Sequence, residues 1–577
     1  MQKLIFDNSN LNESYSGVTT PLTFSFARRV YSNVYKEFSR VIGTPEKKIN
    51  ENLPMYDAML GYICGRMYYN LLNWYKLISF IPGYRFNKEF LEKMLGVSKG
   101  VSYDPRNKVR GFKKIIELSC LIKQILILLL QFNSINKNVG NFLNNFDREF
   151  KKANAIDLKK FTDLELVEFY LFWEQRFASK WKITIVNDLA VMIATGILRK
   201  ISEKWLEDKN NFLINKYLSD IKNVESKKPG ERLNRILYQI KASRTFSELF
   251  NHGSEYEITK KIYENKRFAK LKAAVEDYLT DYGDRSPNEL KLESKTYLNN
   301  KELLIVLIKN QLPNLNKKPD VSADIVNHIN IKDSFDKLGF LKKRIFMLIV
   351  NLSRDYIKNR EAARLRRSQV FGFARKAFHE FGKRMADHKY LSNELSIFYL
   401  QVEEIIGVFN GTMGHSDLKS TVTQRQGEFD NWNNVDVPRR IEVEDSVYAY
   451  ELKKFSQFKK VVKKSVATKK ILNGMTCSNG SNGGTVTGEA LVMKSFDPKA
   501  SYVGKILVTC QTDPGWTPVF PHLKGIIVER GGMLSHAAIV AREYGLPCIT
   551  QIDKATDLIP NGRQILINVK NGSVSLQ

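Results

Sequence analysis

The chain has 577 residues, 43% of them hydrophobic, and carries 90 Lys and Arg against 61 Asp and Glu, a formal charge of +29. That apolar share excludes a disordered or low-complexity chain, and the length allows about two to four domains, each with its own core. The five cysteines, Cys64, Cys120, Cys477, Cys510 and Cys548, are scattered and in no metal-ligand spacing. Reduced thiols, no bound metal and a cytoplasmic setting are therefore expected.

From the N-terminus, "MQKLIFDNSN" lacks the apolar run of a signal peptide. Helical periodicity dominates up to about residue 465. "KEFLEKML" (88–95), "DLKKFTDLELVEFYLFWEQRFASKW" (157–181) and "ERLNRILYQIKASRTFSELF" (231–250) repeat apolar residues every three or four positions. "LIKQILILLLQF" (Leu121–Phe132) is the strongest apolar run. It contains Lys123 and is too short to span a bilayer, so a buried helix and no membrane association are expected. Polar loops such as "VSYDPRN" and "LPNLNKKPD" separate the segments, Gly411–Val437 is polar and mixed, and a further helix is expected over 445–464.

Two stretches of the helical region carry candidate chemistry. In "YGDRSPNEL", Arg285 and Glu289 flank a turn-forming Ser-Pro-Asn, so they can pair with each other or Arg285 can meet a phosphate. "REAARLRRSQ" sets Arg360, Arg364 and Arg367 on one helical face, a row able to neutralise an anion through charge-assisted bonds. A solvated or internally paired face is the competing reading. His379 and His388 are expected to be surface or packing histidines.

After the small-residue run Asn473–Gly484, expected to be a loop or hinge, strand-like runs alternate with one helix. Residues 471–577 hold nine Lys/Arg and seven Asp/Glu, so most of the positive excess lies earlier. A basic surface suits nucleic acid, an anionic substrate or an acidic partner, but no nucleic-acid-binding motif accompanies it. In "LKGIIVERGGMLSHAAIVAREYGLPCIT" a buried strand leads through Gly531 and Gly532 into a helix begun by Ser535 and ended by Gly545 and Pro547. His536 thus falls in the first turn, where free N–H groups and the helix dipole favour an anion. An imidazole there can attack phosphorus as a nucleophile. The competing reading is a packing or capping histidine.

"GGMLSHAAIVAREYGLPCI", together with "GGTVTGEALVM", "GKILVTCQTDPGWTPVF" and "NGRQILINVKNGSVSL", resembles the phosphohistidine (swivelling, or mobile) domain of PEP-utilising enzymes. "TTPLTFSFARRVY", "YLTDYGDRSPNELKLES", "REAARLRRSQVFGFARKAFHEFGKRMA" and "SIFYLQVEEI" resemble landmarks of the helical acceptor-binding domain of the rifampicin phosphotransferase-like branch. Asp284 stands where the family pattern often has a histidine. The resemblance implies a multidomain chain: a large, mostly α-helical acceptor-binding domain over 1–465, then a small mixed β/α swivelling domain over 466–577. It implies that His536 carries the phosphoryl group, with Gly531, Gly532, Ser535 and Thr512 around the phosphate. Thr512, Asp513 and Thr517 lie on a loop the family places beside that histidine. Arg285, Glu289, Arg360, Arg364 and Arg367 become candidates for the acceptor side.

No ATP-grasp segment is recognised ahead of "PLTFSF". The expectation is a split phosphotransferase: a separate ATP-grasp protein, with ATP and Mg²⁺, loads His536, this chain binds no cofactor itself, and a small-molecule acceptor receives the group. A non-catalytic or regulatory relative, and a basic nucleic-acid-binding protein, are the alternatives.

Overall fold

The computed structural model of the chain describes residues 4–81, 112–315 and 338–577, apart from 209, 220, 414–416, 436, 444–446, 448–470 and 481–483. The expected helix over 88–95, all but one residue of that over 445–464, the loop over 101–107 and the expected domain bound at 465/466 lie outside the described residues. The described residues gather into two compact units: Met1–Ala190 with Leu290–Glu293 and Gln369–Lys463, and Val191–Glu289 with Ser294–Ser368 and Lys464–Gln577.

The first unit is mainly helical. Helix Pro21–Val41 has proline at its first position, where a missing N–H costs nothing. The carboxylate of Glu293 accepts from the Thr20 N–H and from the hydroxyls of Thr20 and Thr23 at 2.6–3.2 Å, satisfying the start of that helix. Arg375 in turn donates to the carbonyls of Leu292 and Lys291 at 3.1 and 3.0 Å. Three landmarks far apart in the sequence therefore meet in one polar knot. Around it, Phe26 packs edge-on against Phe371 and Tyr170 packs tilted against Phe378, with ring centroids 5.0 Å apart in each pair. His379 also packs edge-on against Phe398, and His388 is exposed, as expected for packing and surface histidines.

This unit also holds a feature the periodicity does not announce. Strands β1 (Leu4–Asp7), β2 (Leu60–Ile63), β3 (Arg66–Asn70) and β4 (Arg440–Val443) form an antiparallel sheet in the order β2-β3-β1-β4. Each is four or five residues long, too short for alternation to stand out, and β4 arrives from more than 400 residues away. The apolar run Leu121–Phe132 is helical, within Phe112–Asn133, but the expectation of burial is corrected. Ile122, Ile125, Leu126, Leu129 and Leu130 are 43–69% exposed, because they share one face and Leu128 occupies another.

The second unit combines helices with an eight-stranded sheet. Its strands are β5 (Ile471–Asn473), β6 (Met475–Asn479), β7 (Thr485–Val492), β8 (Lys505–Thr509), β9 (Gly525–Val528), β10 (Pro547–Thr550), β11 (Gln564–Asn568) and β12 (Ser573–Leu576). Their order is β5-β12-β11-β7-β8-β9-β10-β6, with β7, β8, β9 and β10 parallel and the flanking strands antiparallel. Both faces are covered, which explains the unbroken apolar runs "KILV" and "GIIV". Ile506, Val508 and Ile527 face one core with Ile549, Ile565 and Ile567. Leu507, Ile526 and Val528 face another, shared with Phe520, Ala538 and helical residues such as Tyr278, Leu304 and Leu365. Each such fully buried aliphatic chain is worth about 1.5–3 kcal/mol.

The expected hinge at Asn473–Gly484 is also corrected in its described part. Met475–Asn479 is an edge strand paired with β10, and Thr476, Cys477 and Ser478 are buried. Just before the strand, packing excludes a side chain at Gly474: a Cβ there would fall 2.7 Å from the side chains of Ile549 and Ile552. The architecture is thus a large helical region followed by a small mixed-sheet domain near the C-terminus.

Candidate functional site

The site is built at the C-terminal ends of two neighbouring parallel strands. Thr509 of β8 lies beside Val528 of β9, and the chain continues in register past both ends. The Glu529 N–H donates to the Thr509 carbonyl and the Arg530 N–H to the Cys510 carbonyl, each at 3.1 Å. Two loops therefore leave the sheet side by side, which is where open α/β sheets place their ligands. One carries Thr512, Asp513 and Thr517, and the other carries Gly531 to His536.

The second loop turns at Gly531, whose φ of +103° is open to glycine alone. Gly532 does not need a positive φ. Its carbonyl accepts from the Ser535 N–H at 3.0 Å and the Ser535 hydroxyl at 2.8 Å. Ser535 occupies the N-cap position, but its hydroxyl is spent on this turn and makes no capping bond. Helix His536–Tyr544 follows and ends at Gly545, φ +65°. His536 is therefore the first helical residue, as the sequence indicates. Arg542, fully buried on the same helix, donates to the carbonyls of Cys477 and Met533 and fixes the turn from behind.

His536 itself is 4% exposed. Its Nδ1 lies 3.0 Å from the Thr512 hydroxyl and its Nε2 lies 3.2 Å from the Thr517 hydroxyl. Phe520 meets the ring edge-on at 5.9 Å between centroids, a contact the sequence does not signal. Burial holds the imidazole well below the usual histidine range, and the positive charges of Arg285 and Arg364 push it further down. A neutral ring has a lone pair on one nitrogen, the form a nucleophile needs.

The cations come from the helical part of the same unit. Arg285 and Glu289, 4% and 2% exposed, face each other with Nη1 and Oε1 3.6 Å apart. Burial raises the Glu289 carboxyl to about 7 in spite of the opposing pull of Arg285, Arg367 and Arg364, and Asp513 adds to the rise. Arg360, Arg364 and Arg367 lie half-buried on helix Phe340–Asp387, so a fully solvated face is excluded. Arg364 also donates to the buried Glu361 at 3.1 Å. Among the described residues, Nη1 of Arg285 and Nε of Arg367 are buried without a hydrogen-bond acceptor. Buried guanidinium donors of this kind are costly unless an anion completes them. The structure thus brings Arg285, Arg364 and the Thr512 loop to His536, and sets Glu289 and Arg367 beside them.

Comparisons with known proteins show what the chain is similar to. Residues 503–572 match the family model "PEP-utilising enzyme, mobile domain", and residues 184–361 match "Rifampicin phosphotransferase fourth domain". The chain is 23% identical over 463 residues to a rifampicin phosphotransferase of Bacillus cereus, covering 76% of this chain and 49% of that protein. It is 24% identical over 319 residues to a rifampicin phosphotransferase of Bacillus subtilis, covering 53% of this chain and 35% of that protein. A phosphoenolpyruvate synthase of Neisseria meningitidis is 42% identical over 82 residues, 14% of this chain and 10% of that protein. The chain spans about half or less of the length of these relatives. It carries the mobile domain of the PEP-utilising enzymes behind a rifampicin phosphotransferase fourth domain, and is related to that family.

Proposed function

We propose that this chain is the phosphohistidine-carrying component of a phosphotransferase in the PEP-utilising family. An ATP-grasp protein acting in trans, with ATP and Mg²⁺, loads His536. The group then passes to a small-molecule acceptor bound by the helical region, and the reaction takes place in the cytoplasm. The observation that carries this reading is the setting of His536: a neutral ring held at both nitrogens by threonine hydroxyls and facing two arginines.

In loading, one ring nitrogen forms the N–P bond while the donor's P–O bond breaks, and the ring gives up its N–H proton. In delivery the N–P bond breaks with its electron pair returning to nitrogen. The acceptor oxygen or nitrogen bonds to phosphorus and releases its proton. Little covalent help is needed, so positioning and neutralisation of the phosphoryl oxygens supply the rate. Gly531, Gly532, Ser535 and Thr512 frame the phosphate; Arg285, Arg360, Arg364 and Arg367 supply the charge, with Glu289 orienting Arg285.

Purified chain mixed with radiolabelled ATP tests the split arrangement. The expected result is no incorporation by the chain alone and incorporation when an extract of the producing cells is added. Incorporation by the purified chain alone at the same level would overturn the requirement for a partner.

A further inference from the structure

Two turns meet directly beside the His536 pocket. On one, Asn288 adopts φ +57° in the Ser286–Glu289 turn, which presents its N–H outward. On the other, Asp513 caps the helix Pro514–His522. One Asp513 oxygen accepts from the Gly515 N–H at 2.9 Å and the other accepts from the Asn288 N–H at 2.9 Å. Gly515 lies so close to Pro287 that a Cβ there would fall 2.5 Å from Pro287 Cδ and 2.6 Å from its Cα. Gly515 is not among the glycines with positive φ, so its own backbone tolerates alanine. What excludes a side chain is the approach of the other turn. The two threonines that hold His536, Thr512 and Thr517, flank Asp513 and Gly515 on the same loop.

We infer that Pro287-Asn288 and Asp513-Gly515 form a latch that seats the helical segment over His536 and closes its pocket. The latch deepens the phosphoryl-carrier reading and takes the meaning of its two states from it. Latched, His536 faces Arg285 and Arg364 and is arranged for delivery. Unlatched, it is open to a loading partner, which cannot reach a histidine buried to this degree. Gly515 and Asp513 are thus positioning residues, acting on the histidine through the loop that carries its two threonines.

The test needs neither partner nor acceptor. Diethyl pyrocarbonate acylates accessible neutral imidazoles, and peptide mapping reads each histidine separately. In the wild-type chain His536 should react far more slowly than the exposed His252 and His388, which serve as internal references. Gly515→Ala should raise the His536 rate by about tenfold or more, the scale expected from losing one charge-assisted contact and its packing. The references should not change. Asp513→Asn, which keeps the size but weakens the bond to Asn288, should act in the same direction and serves if Gly515→Ala does not fold. An unchanged His536 rate in a folded variant would overturn the latch, as would a wild-type His536 as reactive as His388. Because acylation does not depend on phosphoryl transfer, a failed latch leaves the carrier reading standing, and a failed carrier leaves the latch testable.

Discussion

Thr512 and His536, 24 residues apart, meet at 3.0 Å between hydroxyl and Nδ1 because β8 and β9 end in register and release their loops together. Thr517 completes the clamp at Nε2. A hydroxyl both donates and accepts, so the pair fits either neutral tautomer of the ring. Thr512→Val and Thr517→Val keep the shape and remove one bond each. Each should slow phosphoryl transfer by about fivefold, in line with a net hydrogen bond of ~1 kcal/mol, with little change in melting temperature. Single-turnover rates on the two variants check this.

The arginine row should separate the two half-reactions. Arg367→Ala should slow delivery from phosphorylated His536 by about one to two orders of magnitude, the equivalent of ~1.5–3 kcal/mol, and leave loading nearly unchanged. Arg364→Ala should do the same and also lower stability, because Glu361 is fully buried and loses the guanidinium 3.1 Å away. Adding Glu361→Gln should restore stability but not delivery. A chase of pre-phosphorylated protein with acceptor, alongside thermal melts, distinguishes these outcomes.

His536 and Glu289 should shape the pH dependence of stability in opposite directions. The folded state holds His536 neutral, below the usual histidine range, whereas the unfolded chain binds a proton as pH falls through about 6.5. Stability is therefore lost on acidification below that value, and His536→Gln should flatten this acid limb. Glu289 is raised to about 7, so the folded state keeps a proton that the unfolded chain releases near 4.5. Its contribution is present at low pH and lost as pH rises through about 7. Glu289→Gln should therefore lose less melting temperature than wild type between about pH 5 and pH 7. Thermal melts across pH 5 to 8.5 on the three proteins test both signs.

The exposed face of helix Phe112–Asn133 should be tolerant. Leu126→Gln and Leu130→Gln replace side chains that are 56% and 69% exposed, so each should change stability by less than about 0.5 kcal/mol. Leu128→Gln, at an 8% exposed position, should cost several times more. Denaturant midpoints of the three variants decide whether the run is outward-facing.

Much of the site was legible in the sequence because its signals are local. Two glycines, a serine, an apolar helix and a terminal glycine fall within 15 residues and place His536 in a first helical turn. The arginine row follows from helical spacing alone. What remained hidden is set by long-range pairing. No local pattern joins Leu4–Asp7 to Arg440–Val443, or tells that Asp513 caps its own helix with one oxygen and holds Asn288 with the other. The run at Met475–Asn479 looked like a hinge because small residues favour loops in general. Here the residues pair as an edge strand with β10, and Ile549 and Ile552 exclude a side chain at Gly474 just before it. Composition also misjudged Leu121–Phe132: hydrophobicity measures the gain from burial but does not supply the neighbour that buries it.

The most direct measurement of the central claim is the chemistry of the phosphorylated residue. Wild-type chain and His536→Ala are incubated with radiolabelled ATP and an extract of the producing cells, then repurified in cold alkaline buffer. The wild type should carry label that is lost in acid and kept in base, as a phosphoramidate is, and mass spectrometry should place it on His536. The His536→Ala chain should fold, since the ring lies beyond the strand ends and its removal leaves the apolar core of the sheet in place, and should carry no label. Label at the full level in His536→Ala, or label in the wild type that survives acid, would contradict the account.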